Sequence, residues 1–151
     1  SLSNQGDGIM KEMNIFKAFL FSILVIFAAP AFAQEKVVYH IDDASFQGLK
    51  ALRNVRNHLD VAPKTKIVVV THADGVDLLL ENARDAKSNT EYAPLISALK
   101  GDGVSFEVCE ITMKRRNLKK DQFVMDADFT PSGVVRLTEL QTREHYAYIK
   151  P

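Results

Sequence analysis

A chain of 151 residues is about the length of one domain, and its 46% hydrophobic and 25% charged residues are ordinary for a globular protein. Nineteen Lys and Arg side chains balance nineteen Asp and Glu, so no global field favours nucleic acid or an anionic membrane surface as a partner. The single cysteine excludes an intrachain disulfide.

Position 1 is serine, and residues 1–9 are read as lying upstream of a start at Met10 or Met13. The run AFLFSILVIFAA after Lys17 is apolar but short for a membrane span. It ends in Pro30-Ala31-Phe32-Ala33, a small-x-small cleavage signal. The expected organisation is an upstream extension plus signal peptide over 1–33 and one domain over 34–151. The product is expected in the periplasm, with no stable membrane anchor once the chain is cut near Ala33. The 118 residues left after removing 33 from 151 suffice for a core without covalent staples.

Lys36 to Ile41, KVVYHI, reads as the first strand, and Asp42, Asp43 and Ser45 are cap candidates for a helix. Phe46, Leu49, Leu52, Val55 and Leu59 then recur every three or four residues as one apolar stripe. Lys66 to Thr71, KIVVVT, is the continuous apolar run of a strand buried on both faces. A turn at His72-Ala73-Asp74-Gly75 leads to a helix from Val76 to Leu80. After a polar stretch from Asn82 to Asn89, a second helix spans Thr90 to Lys100, its buried side formed by Tyr92, Leu95, Ile96 and Leu99. Pro94 fits only within its first turn. Gly101 and Gly103 close it.

Val104 to Val108 reads as the next strand, with Cys109 at its carboxyl end. Thr112 is expected to cap a short helix bearing Lys114, Arg115 and Arg116. A short strand falls between Phe123 and Phe129. Thr130-Pro131 is expected to open a helix lined by Val134, Leu137 and Leu140, with proline at the first helical position. His145 to Lys150, HYAYIK, is the last strand. Helical crossovers between strands predict a mostly parallel sheet of about five strands covered on both faces, a three-layer α/β/α single domain.

Ligands of such sheets bind outside the carboxyl ends of the strands, and there stand His40, His72 and Cys109. A thiol beside a helix start and three cations is set to ionise, with a histidine to accept its proton and the basic turn to hold an anionic sulfur species. Two histidines and a cysteine are also zinc or copper ligand types, but they lie some thirty residues apart, and no metal or other cofactor is expected. Each histidine could equally cap a strand, and Cys109 could be a small buried hydrophobe. Glu107 and Glu110 would oppose ionisation if they faced the sulfur. GxGxxG, GxxxxGK[ST], HExxH, CxxC and GxSxG are all missing, which disfavours dinucleotide enzymes, P-loop ATPases, zinc proteases and thioredoxin-like dithiol exchangers. Ser132-Gly133 is a helix start, not a nucleophile.

The run from Tyr39 to Pro151 resembles the DsrE/DsrF-like family, particularly its small stand-alone members. The matching pieces are Asn54-Val55-Arg56-Asn57, His72-Ala73-Asp74-Gly75-Val76, Gly103-Val104-Ser105-Phe106 leading to Cys109, Pro131-Ser132-Gly133-Val134-Val135, and Tyr146 to Pro151. The resemblance implies a three-layer fold, homo-oligomers (trimers or hexamers), and a cysteine carrying sulfur as a persulfide, with Cys109 at that position. The expectation is therefore a sulfurtransferase or sulfur carrier. Cys109, His72 and His40 would do the chemistry, and Thr112, Lys114, Arg115 and Arg116 would hold a small sulfur anion or thiol partner. The alternative is a non-catalytic oligomeric ligand-binding or assembly protein whose cysteine is packing.

Overall fold

The computed structural model describes residues 33–151. The expected start methionines, the apolar run and most of the cleavage signal lie outside the described residues. Gln34–Pro151 forms one compact unit. Among the described residues no helix is long and apolar enough to cross a membrane.

Five strands form one sheet: β1 (Lys36–Asp43), β2 (Lys66–Asp74), β3 (Ser105–Cys109), β4 (Ala127–Thr130) and β5 (Ala147–Ile149). Their order is β4-β3-β2-β1-β5 and every pairing is parallel. The α-helices are α1 (Ala44–Val61), α2 (Tyr92–Gly101), α3 (Glu110–Arg115) and α4 (Gly133–Thr142). The expected three-layer α/β/α domain is thus the fold.

The two faces are filled unequally. On one, Val37, Tyr39, Ile41, Ile67, Val69, Phe106 and Val108 pack under residues of α1, α2 and α3 in the main core. On the other, Val38, Val68 and Val70 meet Leu137 and Leu140 of α4, with Tyr146 alongside. Strand alternation explains the split, since neighbours along a strand point to opposite faces.

Asp43 caps α1, its Oδ1 accepting from the Ser45 and Phe46 N–H groups at 2.9 and 3.2 Å. The buried stripe of α1 differs from the expected one at Phe46, which is 74% exposed, with the Lys50 ammonium 5.3 Å from its ring centroid. Gln47 is buried in its place because its Oε1 accepts from the Asp42 and Asp43 N–H groups at 2.9 and 3.1 Å. A polar side chain can take the inward position when its acceptor finds backbone donors.

Other elements shift by a turn or less. Gly75–Leu79 is a 3-10 turn, tighter than the helix expected there. Leu95 lies on the exposed rim of α2, while Tyr92, Ile96 and Leu99 are buried as expected. Helix α4 begins at Gly133 and not at Pro131. Thr130 ends β4, and Ser132 is the cap, its Oγ accepting from the Val135 N–H at 3.4 Å. Val134 consequently faces outward, 58% exposed. The last strand is shorter than the HYAYIK run, because His145 turns through φ 60° before Ala147 pairs with Val37.

Candidate functional site

Register brings the chemistry-bearing side chains into one row. His40 pairs with Val70 and Thr71 with Val108, which sets His72 of β2 beside Cys109 of β3. Tyr148 of β5 pairs with Val38, on the same face as His40. The row Cys109, His72, His40, Tyr148 therefore crosses four adjacent strands on the face that α4 covers.

Cys109 ends β3 and caps α3, which starts at Glu110, three residues earlier than a cap at Thr112 implies. Thr112 is consequently not the cap. It lies buried inside the first turn, where its Oγ1 accepts from the Ala73 N–H at 2.9 Å. That bond holds Ala73 at φ 48°, a left-handed conformation uncommon for a residue with a Cβ.

Cys109 is free and only 4% exposed. Burial pushes its thiol pKa up, but the backbone N–H groups of Gly133, Thr112 and Ile111 and the Thr112 hydroxyl face the sulfur and together prevail. The thiol is held below its ordinary value. Gly133 is indispensable to this arrangement. A Cβ there would sit 2.9 Å from His72 Cβ and 3.4 Å from Cys109 Cβ.

A cavity of about 300 Å³ opens over the sulfur, walled by His72, Ala73, Thr112, Arg115, Ser132 and Val134. Ile111 and Arg116 also reach it, whereas Lys114 is not part of its wall. Arg116 is engaged by Asp77 at 2.8 Å and Asp74 at 3.9 Å. Arg115 makes no ion pair among the described residues and is the cation the cavity retains. The two acids of concern are both drawn elsewhere. Glu107 forms a bidentate pair with Arg136 of α4, which also holds Glu144 at 3.1 Å, and Glu110 lies 3.6 Å from Lys120.

The histidines are brought together more closely than spacing suggested. His40 Nε2 and His72 Nε2 are 2.6 Å apart, their rings stacked at 4.8 Å, and His40 Nδ1 lies 2.6 Å from the Tyr148 hydroxyl. Burial lowers the pKa of both, and for His40 the neighbouring His72 lowers it further. Tyr148 was missed in the sequence. Its signal was the alternation of HYAYIK, which puts Tyr146 and Tyr148 on one face, but nothing there names His40 as its neighbour. Among the described residues no three His, Cys, Asp or Glu side chains are grouped to hold a metal ion.

Fold and site define a small parallel α/β protein with one free, buried cysteine at the end of an interior strand. The DsrE/DsrF-like family model matches residues 21–151, and the chain belongs to that family. Among solved structures, it is similar to a protein of unknown function from Methanobacterium thermoautotrophicum, with 32% identity and a TM-score of 0.69. That match covers 78% of this chain and all of the other, 100%. No curated protein matches the chain.

Proposed function

We propose that the protein relays sulfur as a persulfide on Cys109. Family membership suggests a sulfur-relay-type protein, and the observation that carries the reading here is the placement of Cys109 at the end of β3, lining a cavity that Arg115 also lines. Three backbone N–H groups and a hydroxyl outweigh the cost of burial and favour a thiolate. That thiolate attacks the outer sulfur of a sulfane donor. A new S–S bond forms at Cys109 as the donor's own sulfur–sulfur bond breaks, and the bonding pair leaves with the donor's thiolate or sulfite. An acceptor thiolate later takes the sulfur and returns Cys109 as thiolate, so the cycle needs no outside oxidant or reductant. Arg115 supplies positive charge at the mouth, and His72 forms the wall opposite.

Cys109 is expected to react with iodoacetamide in the native protein at neutral pH, and to gain the mass of one sulfur atom from polysulfide or thiosulfate. Mass spectrometry should show that gain removed by reductant and missing in Cys109→Ser. The burial of the thiol favours a second reading, in which the cysteine is packing in a ligand-binding or assembly protein. Alkylation only after denaturation would select it.

We further propose export to the periplasm and assembly into a homo-oligomer. Supporting the first is the apolar run ending in Ala31-Phe32-Ala33. Supporting the second is β5, a three-residue edge strand with Tyr148 half-exposed, which is a pairing liability unless covered. Protein recovered from a periplasmic extract should have an intact mass beginning at or near Gln34 and scatter light as an oligomer. Retention of the Phe19 to Phe27 segment, or a monomer at micromolar concentration, would refute the respective proposal.

A further inference from the structure

We infer that Tyr148 is a positioning residue: through His40 it fixes His72 in the tautomer whose ring proton is on Nδ1. His72 then serves the site as a hydrogen-bond donor and not as the base that takes the thiol proton.

The inference follows from counting protons along the row. A neutral imidazole carries one N–H and one bare nitrogen. Two Nε2 atoms 2.6 Å apart require one proton between them, on one ring or the other. Two arrangements satisfy both short contacts. In the first, the Tyr148 hydroxyl donates to His40 Nδ1, His40 Nε2–H donates to His72 Nε2, and His72 keeps its proton on Nδ1. In the second every direction is reversed, and His72 Nδ1 is bare.

The phenol decides between them. A phenol is a stronger acid than a neutral imidazole N–H, and an imidazole nitrogen is a better acceptor than a phenol oxygen conjugated to its ring. O–H donating to nitrogen is therefore the stronger pairing, and 2.6 Å suits a hydroxyl donor. Burial, the strongest influence on either ring, keeps both neutral, so that the count holds. The Lys150 ammonium opposes a proton on either ring. The Asp42 carboxylate would favour one, but it is bound by Lys150 at 2.7 Å. A proton on each ring would set two like charges in contact.

On the persulfide reading, a thiolate is then favoured by the N–H groups of Gly133, Thr112 and Ile111 and by the Thr112 hydroxyl, with the thiol proton released to solvent. On the persulfide reading, the Nδ1–H of His72 is one more donor for an anionic sulfur or oxygen.

Long-range proton–nitrogen correlations across the imidazole rings of isotope-labelled protein at neutral pH test this directly. The expected spectrum has His72 protonated on Nδ1 and His40 on Nε2. In Tyr148→Phe, which keeps the ring against His40, the tautomer ratio at His72 should fall roughly fivefold, the equivalent of one hydrogen bond of about 1 kcal/mol. Wild-type His72 protonated on Nε2, or an unchanged ratio in Tyr148→Phe, overturns the inference. The wild-type spectrum alone decides if the variant does not fold. Sulfur loading of Cys109 is scored separately. Failure to load with these tautomers in place defeats the relay reading and leaves this one standing.

Discussion

Gly75→Ala should abolish cooperative folding. The register between β1 and β2 slips between Ile41 and Asp43, and there the backbone of Gly75 lies against the β1 main chain. A Cβ on Gly75 would collide with the Ile41 carbonyl oxygen and lie 2.5 Å from its carbon and 2.9 Å from the Asp42 nitrogen. No side-chain rotation relieves this, because every atom met is backbone. The strand would have to move, and Ile41 is fully buried in the main core. Overpacking against flexible side chains costs about 1–3 kcal/mol, and a clash with a buried strand belongs in the tail above about 4 kcal/mol. Total stability is about 5–15 kcal/mol, so the variant should be insoluble or lack a sigmoidal urea transition. A normal transition within about 1 kcal/mol of wild type would show that the turn relaxes.

Gly133→Ala should fold but lose the reactive thiol. Its Cβ would meet His72 Cβ at 2.9 Å, with Cys109 Cβ at 3.4 Å and His72 Cδ2 at 3.5 Å. The start of α4 can lift by a few tenths of an ångström because, among the described residues, a single helix covers this face, but lifting draws the Gly133 N–H away from the sulfur. The better helix propensity of alanine, up to about 1 kcal/mol, partly offsets the clash, so stability should fall by no more than about 2 kcal/mol. The chemical effect has a definite sign. Losing a donor to the thiolate raises the thiol pKa, lowering the thiolate fraction at neutral pH, and each unit is worth about tenfold in alkylation rate. A pH profile of iodoacetamide reaction should move to higher pH relative to wild type. An unmoved profile would mean that the other donors suffice.

Much of this architecture was legible in the sequence. KVVYHI reads as a strand, KIVVVT as one buried on both faces because its apolar run leaves no solvent face, and they become β1 and β2. The strand-end positions of His40, His72 and Cys109 are legible because parallel topology alone puts those ends side by side. Periodicity misled where a polar group found a partner. Phe46 gave up its inward position to Gln47, whose amide oxygen has two backbone donors. Local cap rules misled at Thr112 and Pro131, where tertiary bonds decide. Thr112 is claimed by Ala73 from another strand, and β4 extends to Thr130 because it pairs with Cys109. The basic turn read as three equivalent cations, and only the fold separates Arg116, spent on Asp77 and Asp74, from Arg115. Tyr148 could not be read at all, since its partner is 108 residues away.

That separation bears on how the molecule assembles. The contacts of Tyr148 with His40 and of Lys150 with Asp42 each span 108 positions, the longest intervals among the side-chain bonds named above. β5 contributes three residues at the sheet edge and, among the described residues, pairs only with β1. Closing so long a loop costs little more free energy than closing a short one, because the entropy grows only with the logarithm of length. It does cost time, since pairings distant in sequence must await the rest of the sheet. The cysteine and its amide donors come from β3, α3 and the start of α4, within 25 residues of one another (133 − 109 = 24). The thiol pocket is thus built from near neighbours in the chain, while the tyrosine that orders the imidazoles arrives by the slowest route the topology offers.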